Sequence, residues 1–223
     1  MATTQTHSLE TGNGQTRRGV KTEEIGPARF ISEPAALGLA AFALTTMVLS
    51  FINAGIVTDR VLPMVAALAL AYGGIVQLLA GMWAFIKNDT FAAVALSSYG
   101  GFWISFYLLQ NVFMKQIPVA DRATALALYL LPWVVFTGYM WIASMRVNVA
   151  LQFVFLTLVA AYLFLGLGKA IDSTGLYHLG GAFGIATAGF AWYTSAAIVF
   201  NRTFRRDVLP VGATRSADQD VGG

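Results

Sequence analysis

The chain has 223 residues, 57% of them hydrophobic and only 11% charged, where a soluble domain carries about 25% charge. With a mean hydropathy of +0.66, this excludes both a water-soluble globule and a disordered chain. The absence of cysteine removes disulfide frameworks, thiolate catalysis, Cys-ligated zinc and iron–sulfur clusters, and two histidines, His7 and His178, are too few for a His-rich metal site.

Residues 1–31 hold Thr, Gln, Gly and mixed charge with no apolar run, so they read as a flexible tail without a signal peptide. Six stretches then lack any Asp, Glu, Lys or Arg: 34–58, 61–86, 90–114, 123–145, 147–168 and 173–201. A membrane-spanning helix needs about 20 mostly apolar residues. The pattern therefore predicts an all-α integral membrane protein with six helices, their cores near 35–55, 62–85, 91–113, 124–144, 149–168 and 177–200. A soluble helix would show a polar face, yet Val61 to Phe85 has only Gln77 as a strongly polar residue. A β-barrel would need spans of about 10 residues in alternation. The division is a tail over 1–31, a membrane domain over 32–201 and a second tail over 202–223, with 213–223 as flexible as the first.

Basic residues give the orientation. With the N-terminus inside, the inner segments hold Arg17, Arg18, Lys21, Arg29, Lys87, Arg146, Arg202, Arg205, Arg206 and Arg215. The outer loops hold Arg60, Lys115, Arg122 and Lys169. The positive-inside rule thus places both termini in the cytoplasm of a multi-pass protein of the plasma membrane. It also accounts for the basic balance without nucleic acid. The sequons at Asn88 and Asn201 fall on the inner side, away from glycosylation.

No helix core carries a charge, which argues against a charge-coupled antiporter, a voltage sensor or a retinal protein. It leaves a pore lined by hydroxyls, amides, backbone and aromatic rings. Such a pore suits small neutral solutes, including a carboxylic acid accompanied by its proton. Thr45, Thr46, Asn53, Gln77, Ser98 and Gln152 are the candidate substrate contacts. Each has a structural alternative, namely helix–helix hydrogen bonding for the two glutamines, capping for Asn53 and bonding back to the helix for the hydroxyls. His178 sits at the outer start of the sixth helix, as a mouth residue or a solvent-facing one. Gly180, Gly184 and Ala188, and more weakly Gly73, Gln77 and Gly81, have small-residue spacing suited to packing within or between subunits. No nucleophile–base pair or metal cluster lies in the spans, so neither an enzyme nor a bound cofactor is expected.

Several motifs occur in order: Glu33-Pro34-Ala35-Ala36-Leu37-Gly38-Leu39, Tyr72-Gly73-Gly74-Ile75-Val76-Gln77, Ala80-Gly81-Met82-Trp83, Asn88-Asp89-Thr90-Phe91, Ser98-Tyr99-Gly100-Gly101-Phe102-Trp103, Leu151-Gln152-Phe153-Val154-Phe155 and Val208-Leu209-Pro210-Val211-Gly212. Together, over about 32–212, they resemble the acetate uptake transporter family, the YaaH-type acetate/succinate permeases of bacteria and fungi. Glu33, Ala36 and Ala84 depart from the family pattern, which has Asn, Pro and often Glu there. The resemblance implies uptake of acetate, and of succinate or other small carboxylates, as a proton symporter or a channel. It implies six helices around a pore in each subunit and a homohexamer. It further implies a hydrophobic constriction of Phe42, Tyr99 and Leu158. A urea or short-amide channel and a non-transporting membrane sensor are the competing readings.

Overall fold

The structure, a computed structural model, describes residues 31–212. The flexible tails expected at the two ends fall almost wholly outside the described residues. Among the described residues, six helices are long and apolar enough to cross a membrane: α1 Pro34–Asn53, α2 Asp59–Ile86, α3 Thr90–Gln116, α4 Val119–Ser144, α5 Val149–Ala170 and α6 Thr174–Phe204. All six expected spans are found. Their ends differ by a few residues, because short 3₁₀ turns (Asp59–Val61, Met114–Gln116 and Val119–Asp121) prolong the helices into the polar flanks.

Local chemistry explains the ends. Asp89, Asn148 and Ser173 accept hydrogen bonds from the amides of Ala92, Leu151 and Leu176, which would otherwise be orphaned at helix starts. Pro34 opens α1 at a position that needs no donor. Its N-cap is Glu33, and neither Glu33 nor Ser32 caps through a side chain. The Glu33 carboxylate is occupied elsewhere: it accepts from Lys87 at 2.7 Å and from Arg202 at 3.1 Å. One acid thus ties the start of α1 to the α2–α3 turn and to the end of α6. Lys87 and Glu33 are each only 19% exposed, so removing the acid leaves a poorly hydrated cation. Glu33→Ala should cost about 1–3 kcal/mol and lower the thermal midpoint of detergent-purified protein. An unchanged midpoint would make the pair a surface ornament.

Two helices carry π-helical turns, Ala71–Val76 in α2 and Leu109–Phe113 in α3. The first contains the Gly73-Gly74 pair, and Gly73 lies so close to α1 that a Cβ would stand 2.7 Å from the Thr45 hydroxyl. A π turn inserts an extra residue and rotates everything beyond it. Pro132 lies inside α4 and removes one backbone donor there.

The helices stand as a ring in chain order. Consecutive helices are neighbours, and α6 closes the ring by packing along α1. The glycine spacing serves this packing within the subunit. Gly180 lies against Leu165 and Ala161 of α5, Gly184 against Ser50 of α1, and Gly81 against Ser97 of α3. The α3–α4 seam is instead aromatic and hydroxylic: Tyr99 pairs with Thr137 at 3.0 Å and Ser105 with Tyr129 at 2.8 Å. The helix expected to end near 200 runs to Phe204, where Arg205 turns left-handed (φ 54°). Residues 207–212 then fold back. The Asn201 side chain holds the amides of Val208 and Leu209 and donates to the Leu209 carbonyl. Val149 and Ala150 donate to Gly212 and Val211. Asn201 is therefore engaged in hydrogen bonding by its own chain.

Candidate functional site: two cavities in the helix ring

The ring encloses two cavities that approach each other from opposite ends. The larger, about 600 Å³, reaches from Asp59, Arg122, Lys169 and His178 in the loops down to Phe42 and Leu158. The smaller, about 310 Å³, reaches from Glu33, Asp89, Asn148 and Arg202 to Leu39, Ala95 and Phe155. The two ends are called here the His178 face and the Glu33 face. Six crossings bring both ends of the described chain to the Glu33 face, where Arg202 meets Glu33.

Phe42 lies three residues beyond Leu39, Leu158 three beyond Phe155, and Tyr99 four beyond Ala95. Each step is about one helical turn. The three residues taken from the family resemblance therefore stand between the cavities, one each on α1, α3 and α5. All three are buried, with 3–4% exposure. The Phe42 and Tyr99 rings are 5.6 Å apart between centroids, and Tyr99 lies 6.3 Å from Phe155. Tyr99 is clamped further by Trp133 and Phe136 and by its hydroxyl on Thr137. Leu158 is buried, lines the larger cavity and has no ring partner or polar tether.

The other candidates divide. Thr46 and Asn53 line the larger cavity. Thr46 is 6% exposed and its hydroxyl has no hydrogen-bond partner. Asn53 accepts from the Tyr177 hydroxyl at 2.9 Å. Thr45 is fully buried and donates back to the Ala41 carbonyl at 3.0 Å. Gln77 is fully buried with neither side-chain atom partnered, and it lines neither cavity. Ser98 and Gln152 are half-buried and also lie outside both linings.

Several lining residues were not singled out from the sequence. Ser50 stands between Thr46 and Asn53 on one face of α1, at spacings of four and three that were legible as a helical stripe. Trp103 is 2% exposed and lines the same cavity. Arg122 and Lys169 served in the sequence only as topology markers, yet both line its mouth.

Residues 19–211 match the model described as the GPR1/FUN34/yaaH family. The chain belongs to this family. It is 42% identical over 200 residues to "Acetate permease A" of Emericella nidulans, an alignment covering 82% of this chain and 67% of that one. It is 34% identical over 185 residues to "Succinate-acetate/proton symporter SatP" of Escherichia coli, covering 82% of this chain and 96% of that one. Among solved structures, it matches "Structure of the bacterial acetate channel SatP" with a TM-score of 0.77 and 32% identity, covering 82% of this chain and 99% of the other. The six-helix architecture is thus that of a solved channel. Together with the six apolar helices, this makes the chain a multi-pass membrane protein.

Proposed function

We propose that this chain carries small carboxylates, acetate foremost and succinate as a further substrate, across the plasma membrane through a pore within each subunit, in company with a proton. The observation that supports this reading is that two cavities enter the ring from opposite ends, Phe42 and Leu158 lining the larger, Leu39 and Phe155 the smaller one turn away, and Tyr99 buried against Phe42 and Phe155. A narrow apolar layer rejects hydrated ions by dewetting. It admits a two-carbon acid that crosses as the neutral species. The relatives named for acetate and succinate transport supply the substrate class. Phe42, Tyr99 and Leu158 are the proposed constriction, and Thr46 and Asn53 the proposed substrate contacts. Thr45, Gln77, Ser98 and Gln152 take packing roles in this reading. A homohexamer is the proposed assembly, resting on the family resemblance.

Two tests address this directly. Labelled acetate should enter proteoliposomes faster as external pH falls, because carboxylic acids titrate around pKa 4 and the free-acid fraction near neutrality grows about tenfold per pH unit. Uptake flat from about pH 5 to 8 and driven by membrane potential alone would overturn the proton-linked reading. Urea uptake without acetate uptake would assign the pore to short amides.

The Glu33 face is proposed to be cytoplasmic, on the basic-residue bias. The chain has no cysteine, so a single introduced one reports alone. Cysteine at Val119, 76% exposed on the His178 face, should react with impermeant reagent in intact cells. Cysteine at Arg205 should react only after lysis. The reverse pattern would invert the pore.

A further inference from the structure

We propose that the mouth of the larger cavity is a capture site for the carboxylate anion, built by Arg122 and Lys169 with the Asn53 amide as the next donor inward. The inference deepens the transport reading and takes its substrate class from it. The pore centre is uncharged, so it can neither attract an anion nor hold one. The mouth differs. Arg122 opens the long helical part of α4 and Lys169 lies at the end of α5, and both side chains line the cavity. Among the described residues neither makes an ion pair, although Asp59 lines the same mouth.

Each cation is held in place by a contact that leaves donors free for a ligand. Arg122 gives Nε to the Ile117 carbonyl at 3.1 Å, which fixes the guanidinium and leaves its two terminal nitrogens available. Two parallel N–H groups match the two oxygens of a carboxylate. Lys169 Nζ sits 4.0 Å from the centroid of the Tyr177 ring, a contact that uses none of its hydrogen-bond donors. The Tyr177 hydroxyl in turn donates to Asn53 Oδ1 at 2.9 Å. That bond orients the Asn53 amide so that its NH₂ group remains a donor. Beyond Asn53 on α1 come Ser50 and Thr46, the latter with its buried hydroxyl unpartnered. Charge therefore lies at the mouth, neutral donors lie along the wall, and an apolar layer lies at the floor.

This order separates two selections. Arg122 and Lys169 choose by charge and are indifferent to chain length. The Phe42–Tyr99–Leu158 layer chooses by size. The site binds the anion, and the proton joins it before the apolar layer is crossed.

The test uses full-length protein, with acetate and succinate as probes. Arg122→Gln, Lys169→Gln and the double variant are compared by proteoliposome uptake and by saturation-transfer NMR on protein in nanodiscs. In the double variant the half-saturating acetate concentration should rise about tenfold, the scale of a charge-assisted hydrogen bond, with the effect falling on that concentration rather than on the saturating rate. The NMR signal from both probes should fall, and the dependence of wild-type uptake on salt should flatten, since solvated charges are screened. Arg122→Lys should retain more affinity than Arg122→Gln. The preference between acetate and larger acids should not move. Half-saturation and NMR signals within twofold of wild type in the double variant would overturn the capture site and leave the transport reading standing. An NMR signal lost in the double variant, in a protein that moves no carboxylate, would do the reverse. If the double variant fails to insert, the two single variants decide the matter by the same readings.

Discussion

Leu158→Ala should let the pore accept lactate while acetate uptake persists, raising lactate relative to acetate by about tenfold or more. The substitution removes three carbons from the proposed constriction, where the Phe42 and Tyr99 rings lie 5.6 Å apart. One methylene of fit in an apolar pocket is worth about 1–3 kcal/mol of discrimination. Tyr99 is the poorer place for the same experiment. Its ring meets Phe42, Trp133, Phe136 and Phe155, and its hydroxyl meets Thr137, so truncation would loosen the α3–α4 seam as well. Leu158 is buried on α5, and its loss carries a stability cost of about 2–5 kcal/mol. Size-exclusion and a thermal midpoint must therefore accompany the uptake measurement. The readout is competition by lactate against labelled acetate. An unchanged ratio in a folded, inserted protein would make Leu158 a packing residue and place the selective layer elsewhere.

Gly181→Ala should be among the most damaging single-methyl changes in the chain. A Cβ at Gly181 would stand 2.7 Å from the Ala54 Cα, and closer still to the Ala54 nitrogen. Both are backbone atoms, so no side chain can swing aside. The helices α1 and α6 would have to separate where Tyr177 bonds Asn53, at the mouth of the larger cavity. A loss of about 3 kcal/mol or a failure to fold is expected, with weakened acetate uptake in any protein recovered. Gly189→Ala is the matched control, since nothing lies within 4 Å of a Cβ there and alanine favours helix by up to about 1 kcal/mol. Equal thermal midpoints for the two variants would show that the α1–α6 contact has slack.

The number of helices and their approximate ends were legible in the charge list alone. Hydrocarbon cannot solvate a charge or an open backbone group, so a long spanning segment forms a helix whose core is free of Asp, Glu, Lys and Arg. The chain has six stretches of that kind, and the structure has six helices over them. The proposed constriction residues came from resemblance to a family rather than from composition. What could not be read was the inward direction of each helix. In a soluble helix the polar face marks the outside. Here the lipid is as apolar as the protein interior, so the pattern carries no such mark. Thr45 and Thr46 show the consequence. The two are adjacent and chemically alike, yet Thr45 bonds back to Ala41 while Thr46 faces the cavity with a free hydroxyl. Gln77 shows a second difficulty: it directly follows the π turn at Ala71–Val76, where counting by the regular helical repeat no longer gives the direction of a side chain. Arg122 and Lys169 show a third. In the sequence they are isolated charges separated by two whole helices and the turn between them, and only the closing of the ring brings them to one mouth. The sequence by itself thus determined what each segment is, through the cost of placing charge in lipid. The tertiary structure alone decided which side chains meet, because helix rotation and ring closure depend on packing contacts that a uniformly apolar sequence does not encode.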